Sequence, residues 1–230
     1  MNSANRRGRK LYVASKMGDL ETVIHLLSKN TNIEFEDSYK QTPLFIAAWS
    51  GHTAIVERLL AAGANKEARN IDHKTPLSVA TWYGKTQVVE QLLDAGANRE
   101  TRDKHQQTPL FIAAWKGYTA IVEKLLAAAA NIDTKNVDSQ TPLYIAATQG
   151  HTTIVDQLLA AGANKDIDDI HKQTALFMAV CKGRTSIAER LITAGADTNK
   201  RSETGLSVKD VAIQECNTRI IELLSNQSHG

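Results

Sequence analysis

The stretch Thr42-Pro43-Leu44-Phe45-Ile46-Ala47-Ala48 decides the fold, because it returns in strict phase along the chain. It recurs as Thr75-Pro76-Leu77-Ser78-Val79-Ala80 and as Thr108-Pro109-Leu110-Phe111-Ile112-Ala113-Ala114. Thr141-Pro142-Leu143-Tyr144-Ile145-Ala146-Ala147 and Thr174-Ala175-Leu176-Phe177-Met178-Ala179 complete the series, with the threonines 33 residues apart. Gly18, Gly51, Gly84, Gly117, Gly150 and Gly183 follow in register, and so do leucine pairs such as Leu59-Leu60 and Leu125-Leu126. Ala14 and Ala212 keep phase with Ala47, so a degenerate first unit and a truncated last one flank the clear copies. A fixed period of this length marks an array in which each unit touches only its neighbours.

The physics of one unit follows from its residues. Thr42 is a good N-cap and Pro43 a good first helical residue, since the N–H that proline lacks would be unpaired there. Leu44, Ala47 and Ala48 give a short helix a small-residue face, and Gly51 ends it. The spacing of Ile55, Val56, Leu59 and Leu60 predicts a second helix from about Thr53. Gly63 is placed to take the left-handed conformation after it. A polar loop, residues 65–74, then leads to the next threonine. Neither helix can bury its stripe alone, so the core must come from stacking.

These residues resemble the ankyrin repeat, with its recurrent Thr-Pro-Leu-His-x-Ala pattern and 33-residue period. The resemblance runs from about residue 9 to residue 225. It implies an all-α solenoid of stacked helix-turn-helix units with extended loop fingers. The expected division is a basic tail over 1–8, a single repeat domain over 9–225 and a short tail over 226–230. Its units are 9–41, 42–74, 75–107, 108–140, 141–173, 174–206 and 207–225. Three departures stand out. Phe45, Ser78, Phe111, Tyr144 and Phe177 replace the family's histidine, which predicts more apolar packing and a thinner polar network. Ala129 stands where the repeat wants glycine. Lys40, His73, Gln106, Ser139 and Lys172 replace the loop-tip glycine, which only Gly205 keeps.

Composition excludes several classes of function. With 42% hydrophobic and 23% charged residues and a net charge of +2, the chain has core material but little charge bias. Wholesale attachment to nucleic acid or membrane is therefore not expected. No apolar run reaches the roughly 18 residues of a membrane span. The polar, basic segment Met1 to Lys10 does not read as a secretory signal. Two cysteines, Cys181 and Cys216, cannot make a framework of bridges, so the expected compartment is reducing: cytoplasmic, or nuclear.

No constellation in the sequence reads as a catalytic or metal site. His52 and His151 follow helix-ending glycines, and His73, His105 and His171 lie on loop tips. None shows metal-ligand spacing with a cysteine or carboxylate. Cys181 has no base partner, and no phosphate loop or nucleophile elbow is present. No catalytic residue, cofactor or metal is expected. Acidic residues at 34, 67, 100, 133 and 166 stand two positions before Arg69, Arg102 and Lys135 in three repeats. They read as a solvated ladder of weak ion pairs.

The informative positions are those the repeat leaves free. The slot after the two alanines holds Trp49, Trp82 and Trp115, all three tryptophans of the chain, then Thr148 and Cys181. Residues 42–65 and 108–131 agree at 20 of 24 positions, so copying explains part of the row. It does not explain Trp82, whose repeat differs. The resemblance places first helices and fingers on a concave surface, where solenoids bind. The sequence therefore predicts an exposed ladder of Trp49, Trp82 and Trp115, joined by Tyr39, Ile71 and Tyr83. Arg69, Arg102, Lys104, His105, Lys116 and Lys135 complete the candidate surface. The expected function is non-catalytic binding of a protein or peptide, apolar with acidic residues, by a chain that is monomeric when unbound. One alternative is a reader of methyl-lysine or another cationic side chain, using the tryptophans. The other is a proteasome-assembly chaperone of the gankyrin type, by analogy of length alone.

Overall fold

The computed structural model describes residues 3–29 and 31–226. Among them are fourteen helices in seven successive pairs, joined by loops and two isolated β-bridges, without extended strands. The chain divides into two compact units, Met1–Pro109 and Leu110–Gly230.

The first unit contains α1 (Ser3–Met17) with α2 (Leu20–Leu27), α3 (Pro43–Ser50) with α4 (Thr53–Ala61), and α5 (Pro76–Trp82) with α6 (Thr86–Asp94). First helices pack on first helices, α1 on α3 and α3 on α5, and second helices on second helices, α2 on α4 and α4 on α6. The second unit repeats the scheme. It has α7 (Pro109–Lys116), which begins one residue before the unit boundary, then α8 (Thr119–Ala127), α9 (Pro142–Gln149) and α10 (Thr152–Ala160). α11 (Ala175–Cys181), α12 (Thr185–Thr193), α13 (Val208–Gln214) and α14 (Thr218–Asn226) follow. There α9 packs on α11 and α11 on α13, and α8, α10, α12 and α14 pack in sequence.

Local chemistry sets the helix boundaries. The hydroxyl oxygens of Thr42, Thr141 and Thr174 accept the N–H three residues on, at 3.2 Å each. Thr75 and Ser78 cap each other reciprocally. Leu44, Leu77, Leu110, Leu143 and Leu176 are sealed from solvent, as are the alanines three positions on. Each such leucine contributes about 1.5–3 kcal/mol by burial. Glycine serves the stacking directly at Gly117. Its φ is +79°, and a Cβ there would lie 2.6 Å from the ring of His151. That ring bonds the carbonyl of Trp115 at 3.1 Å, so the histidine after the turn ties one repeat to the one before. His52 does the same to the carbonyl of Lys16.

Two sequence expectations change. The basic tail over 1–8 is not a tail in the described residues: α1 begins at Ser3. Gly8 is buried within it, and a Cβ there would lie 2.7 Å from the Asn32 carbonyl oxygen and 2.8 Å from Phe35 Cβ. The close packing of this helix on its loop needs the missing side chain. At the other end Asn226 closes α14, and residues 227–230 lie outside the described residues. Four members of the acidic stripe also serve the backbone of the next repeat, where ion pairs with bases two positions on were expected. Glu34, Glu67, Asp133 and Asp166 each accept the backbone N–H 31 residues on, from Asn65, Asn98, Asn164 and Asp197, at 2.8–3.0 Å. A carboxylate can satisfy an otherwise orphaned N–H of the next unit, which an Arg two positions away in its own loop does not need.

Ala129 has φ +58°, the left-handed conformation that Gly63, Gly96 and Gly162 hold in the other repeats. The loop-tip residues Lys40, His73, Gln106, Ser139 and Lys172 are left-handed too, at +57° to +61°. The tip keeps the backbone geometry of glycine without glycine, because a side chain at the start of each finger holds it. Asp37, Asn70, Asp103, Asn136 and Asp169 each accept two N–H groups across their own finger, at residues two and four further on.

Candidate functional site

The polar network that the missing histidines should have thinned is rebuilt differently in each repeat. The slot of Phe45 faces the finger residue 25 positions on. Where the slot is tyrosine that residue is aspartate: Tyr12 donates to Asp37 at 2.9 Å and Tyr144 to Asp169 at 2.8 Å. Burial and the neighbouring carboxylate push both phenols well above the usual tyrosine range. Where the slot is Phe45 or Phe111 the residue 25 on is uncharged, Asn70 or Asn136. Ser78 breaks the pattern. It is too short to reach Asp103, whose Oδ2 is buried without a hydrogen-bond partner, as is Oε1 of Gln107.

On this scaffold the free slots can be placed. In the first unit Trp49 meets Tyr83 of the next repeat edge-on, ring centroids 5.6 Å apart and planes at 84°. Nζ of Lys74 lies 4.1 Å from the centroid of Trp82. Tyr39, Ile71 and Tyr83 are about half exposed. Arg69 and His105 are exposed on the fingers. Lys104 is drawn away from the aromatics: its Nζ bonds Asp72 at 2.6 Å and holds that carboxyl below the usual range. Arg102 is half-buried at the base of its finger. In the second unit Nζ of Lys116 sits 4.6 Å from the Trp115 centroid, and Lys135 is exposed.

The indoles of Trp49 and Trp115 are half-buried and that of Trp82 also keeps only part of its surface open, which corrects the open ladder read from the sequence. Tyr83 and the lysines at 74 and 116 cover part of each ring. Thr148 and Cys181, which continue the slot, are half-buried as well. Burial pushes the Cys181 thiol up, so it is a poor nucleophile. Among the described residues no group of three His, Cys, Asp or Glu side chains converges to hold a metal. No helix there is long and apolar enough to cross a membrane. Sequence reasoning passed over Ile170, which is 54% exposed on a finger tip beside Val137 at 54%. Aligning the slot Ser38, Ile71, Lys104, Val137, Ile170 would have found it.

A family profile described as ankyrin repeats in three copies matches residues 9–70, 63–136, 110–202 and 143–229, and the chain belongs to the ankyrin-repeat family. Ankyrin-repeat domains as a class are protein-interaction modules. Among solved structures the chain is similar to the human ASB11 ankyrin repeat domain, at 28% identity and a TM-score of 0.81. That match covers 91% of this chain and 96% of the other. The ankyrin repeat domain of Bcl-3, a member of the IkappaB protein family, is similar at 25% identity and a TM-score of 0.85. It covers 94% of this chain and 97% of its own. No curated protein sequence matches the chain significantly.

Proposed function

We propose that the chain is a non-catalytic protein-binding module whose partner contacts first helices and fingers. The observation that carries this reading is the shared slot of Trp49, Trp82 and Trp115: large rings, partly open, at positions the core does not need filled. Partly buried tryptophans that keep an accessible face are among the residues most enriched at interface hot spots. In the first unit Tyr39, Ile71 and Tyr83 extend the apolar surface, Arg69 adds positive charge and His105 a polar ring; in the second unit Lys135 adds positive charge. The partner segment is accordingly apolar with acidic residues. The free thiols of Cys181 and Cys216 suit a reducing compartment, cytoplasm or nucleus.

The reading of the tryptophans as a cage for a foreign ammonium group loses ground. The chain's own Lys74 and Lys116 already occupy the faces of Trp82 and Trp115. A ligand cation would have to displace like charge. Affinity capture with wild type, a Trp49/Trp82/Trp115→Ala variant and a Glu57/Glu123→Ala control on the second helices tests the proposal. A partner kept by the control and lost by the triple variant supports it. A partner kept by the triple variant and lost by the control overturns it.

A further inference from the structure

The tips of the first two fingers enclose a cleft of about 430 Å³ lined by Lys40, Arg69, Asn70, Ile71 and His73. Three of these side chains are basic, and none of the three is buried. No acid lines the cleft among the described residues. Of the carboxylates near it in sequence, Glu36 and Glu67 are not part of the cleft lining, Glu67 takes the N–H of Asn98, and Asp37 and Asp72 on the same two fingers are engaged. Asp37 takes the N–H groups of Tyr39 and Gln41 on one oxygen and the Tyr12 hydroxyl on the other. Asp72 takes Lys104. Neither of these carboxylates is given over to Lys40, Arg69 or His73, so the charge of the cleft is not neutralised from within it. A concave site lined by a lysine, an arginine and a histidine, with no acid in its lining, suits an anion.

We infer that this cleft receives the phosphoryl group of a phosphorylated serine or threonine in the partner segment. A phosphoryl group carries close to two negative charges and three acceptor oxygens, which an Arg fork and a Lys point charge match better than a single carboxylate does. Ile71, 51% exposed at the same tip, offers an apolar contact to the neighbouring residue. The next residue after His73 is Lys74, which lies on Trp82, so one extended segment reaches from the cleft to the indole. The inference rests on the reading of this face as protein-binding.

The test is an NMR titration of the full chain at constant ionic strength with N-acetyl-phosphoserine amide. N-acetyl-glutamate amide, inorganic phosphate and a short oligothymidylate serve as comparison probes. The phosphoserine probe should give saturable shifts confined to residues around Lys40, Ile71 and His73. Arg69→Gln and Lys40→Gln should each weaken it by about tenfold, the value of one charge-assisted bond. Trp82→Ala should leave it unchanged, so this site and the indole surface fail or stand separately. Unsaturable shifts spread over all basic side chains overturn the inference. So does a glutamate probe bound as well as the phosphoserine, or the oligothymidylate bound more tightly at the same residues.

Discussion

Asp103→Asn should stabilise the protein, although it removes a charge from a residue only 2% exposed. Asp103 Oδ1 accepts the N–H groups of His105 and Gln107 at 2.9 and 3.0 Å, and an asparagine oxygen accepts both equally. The other oxygen, Oδ2, has no partner, and neither does Oε1 of Gln107. One repeat later the same two positions solve the problem: Asn136 Nδ2 donates to Gln140 Oε1 at 3.2 Å. The substitution therefore replaces two orphaned acceptors with one hydrogen bond at no change in volume. An unsatisfied buried acceptor costs about 1–3 kcal/mol. Allowing for imperfect geometry, a net gain of about 1–3 kcal/mol follows. For a chain of this size that raises Tm by roughly 2–12 °C. Urea and thermal unfolding of wild type and variant, side by side, read it directly. A midpoint that is unchanged or lower would refute the reasoning, because it would mean that Oδ2 is already satisfied.

Tyr144→Phe should do the reverse. It keeps the ring, strands Asp169 Oδ2, and loses about 1.5–3 kcal/mol in urea unfolding; adding Asp169→Asn should recover most of that, as the Phe–Asn pairs of other repeats imply. Ala129→Gly should gain about 0.5–1 kcal/mol, because φ is +58° and relief of the Cβ strain exceeds the added chain entropy; a lower thermal midpoint would count against it. Ser207 donates through its hydroxyl and its N–H to Asp210 and holds that carboxyl below the usual range. Its folded value being lowered, the stabilisation is complete above about pH 4 and lost as pH falls through the folded value. The difference in urea midpoint between wild type and Asp210→Ala should shrink between about pH 6 and about pH 2, and a constant difference would contradict it.

The period of 33 residues makes the helix pairs legible in the sequence itself, because threonine, proline, leucine and glycine each have one local job that survives repetition. Ala129 is legible for the same reason: a register that demands left-handed backbone demands it whatever the residue. The fate of the acidic stripe is not. Glu67 and Arg69 lie close in sequence, and only the stacking of repeats reveals that a backbone N–H 31 residues away is the better partner. The pairing of Tyr12 with Asp37 and of Phe45 with Asn70 does leave a signal, a coupling over 25 residues, that period counting alone does not register. At the candidate surface the slot of the tryptophans can be read, but not their cover. Lys74 and Tyr83 reach the rings along paths set by side-chain direction, which a sequence pattern does not contain.

The central claim is that the partner lies on first helices and fingers. Amide hydrogen exchange of the full chain, with and without a partner retained in the capture experiment, tests it most directly. Slowed exchange should concentrate in residues 38–50, 71–83 and 104–116, with the second helices at 53–61 and 86–94 unchanged. Protection centred on those second helices, with the finger and first-helix segments unaltered, would contradict it.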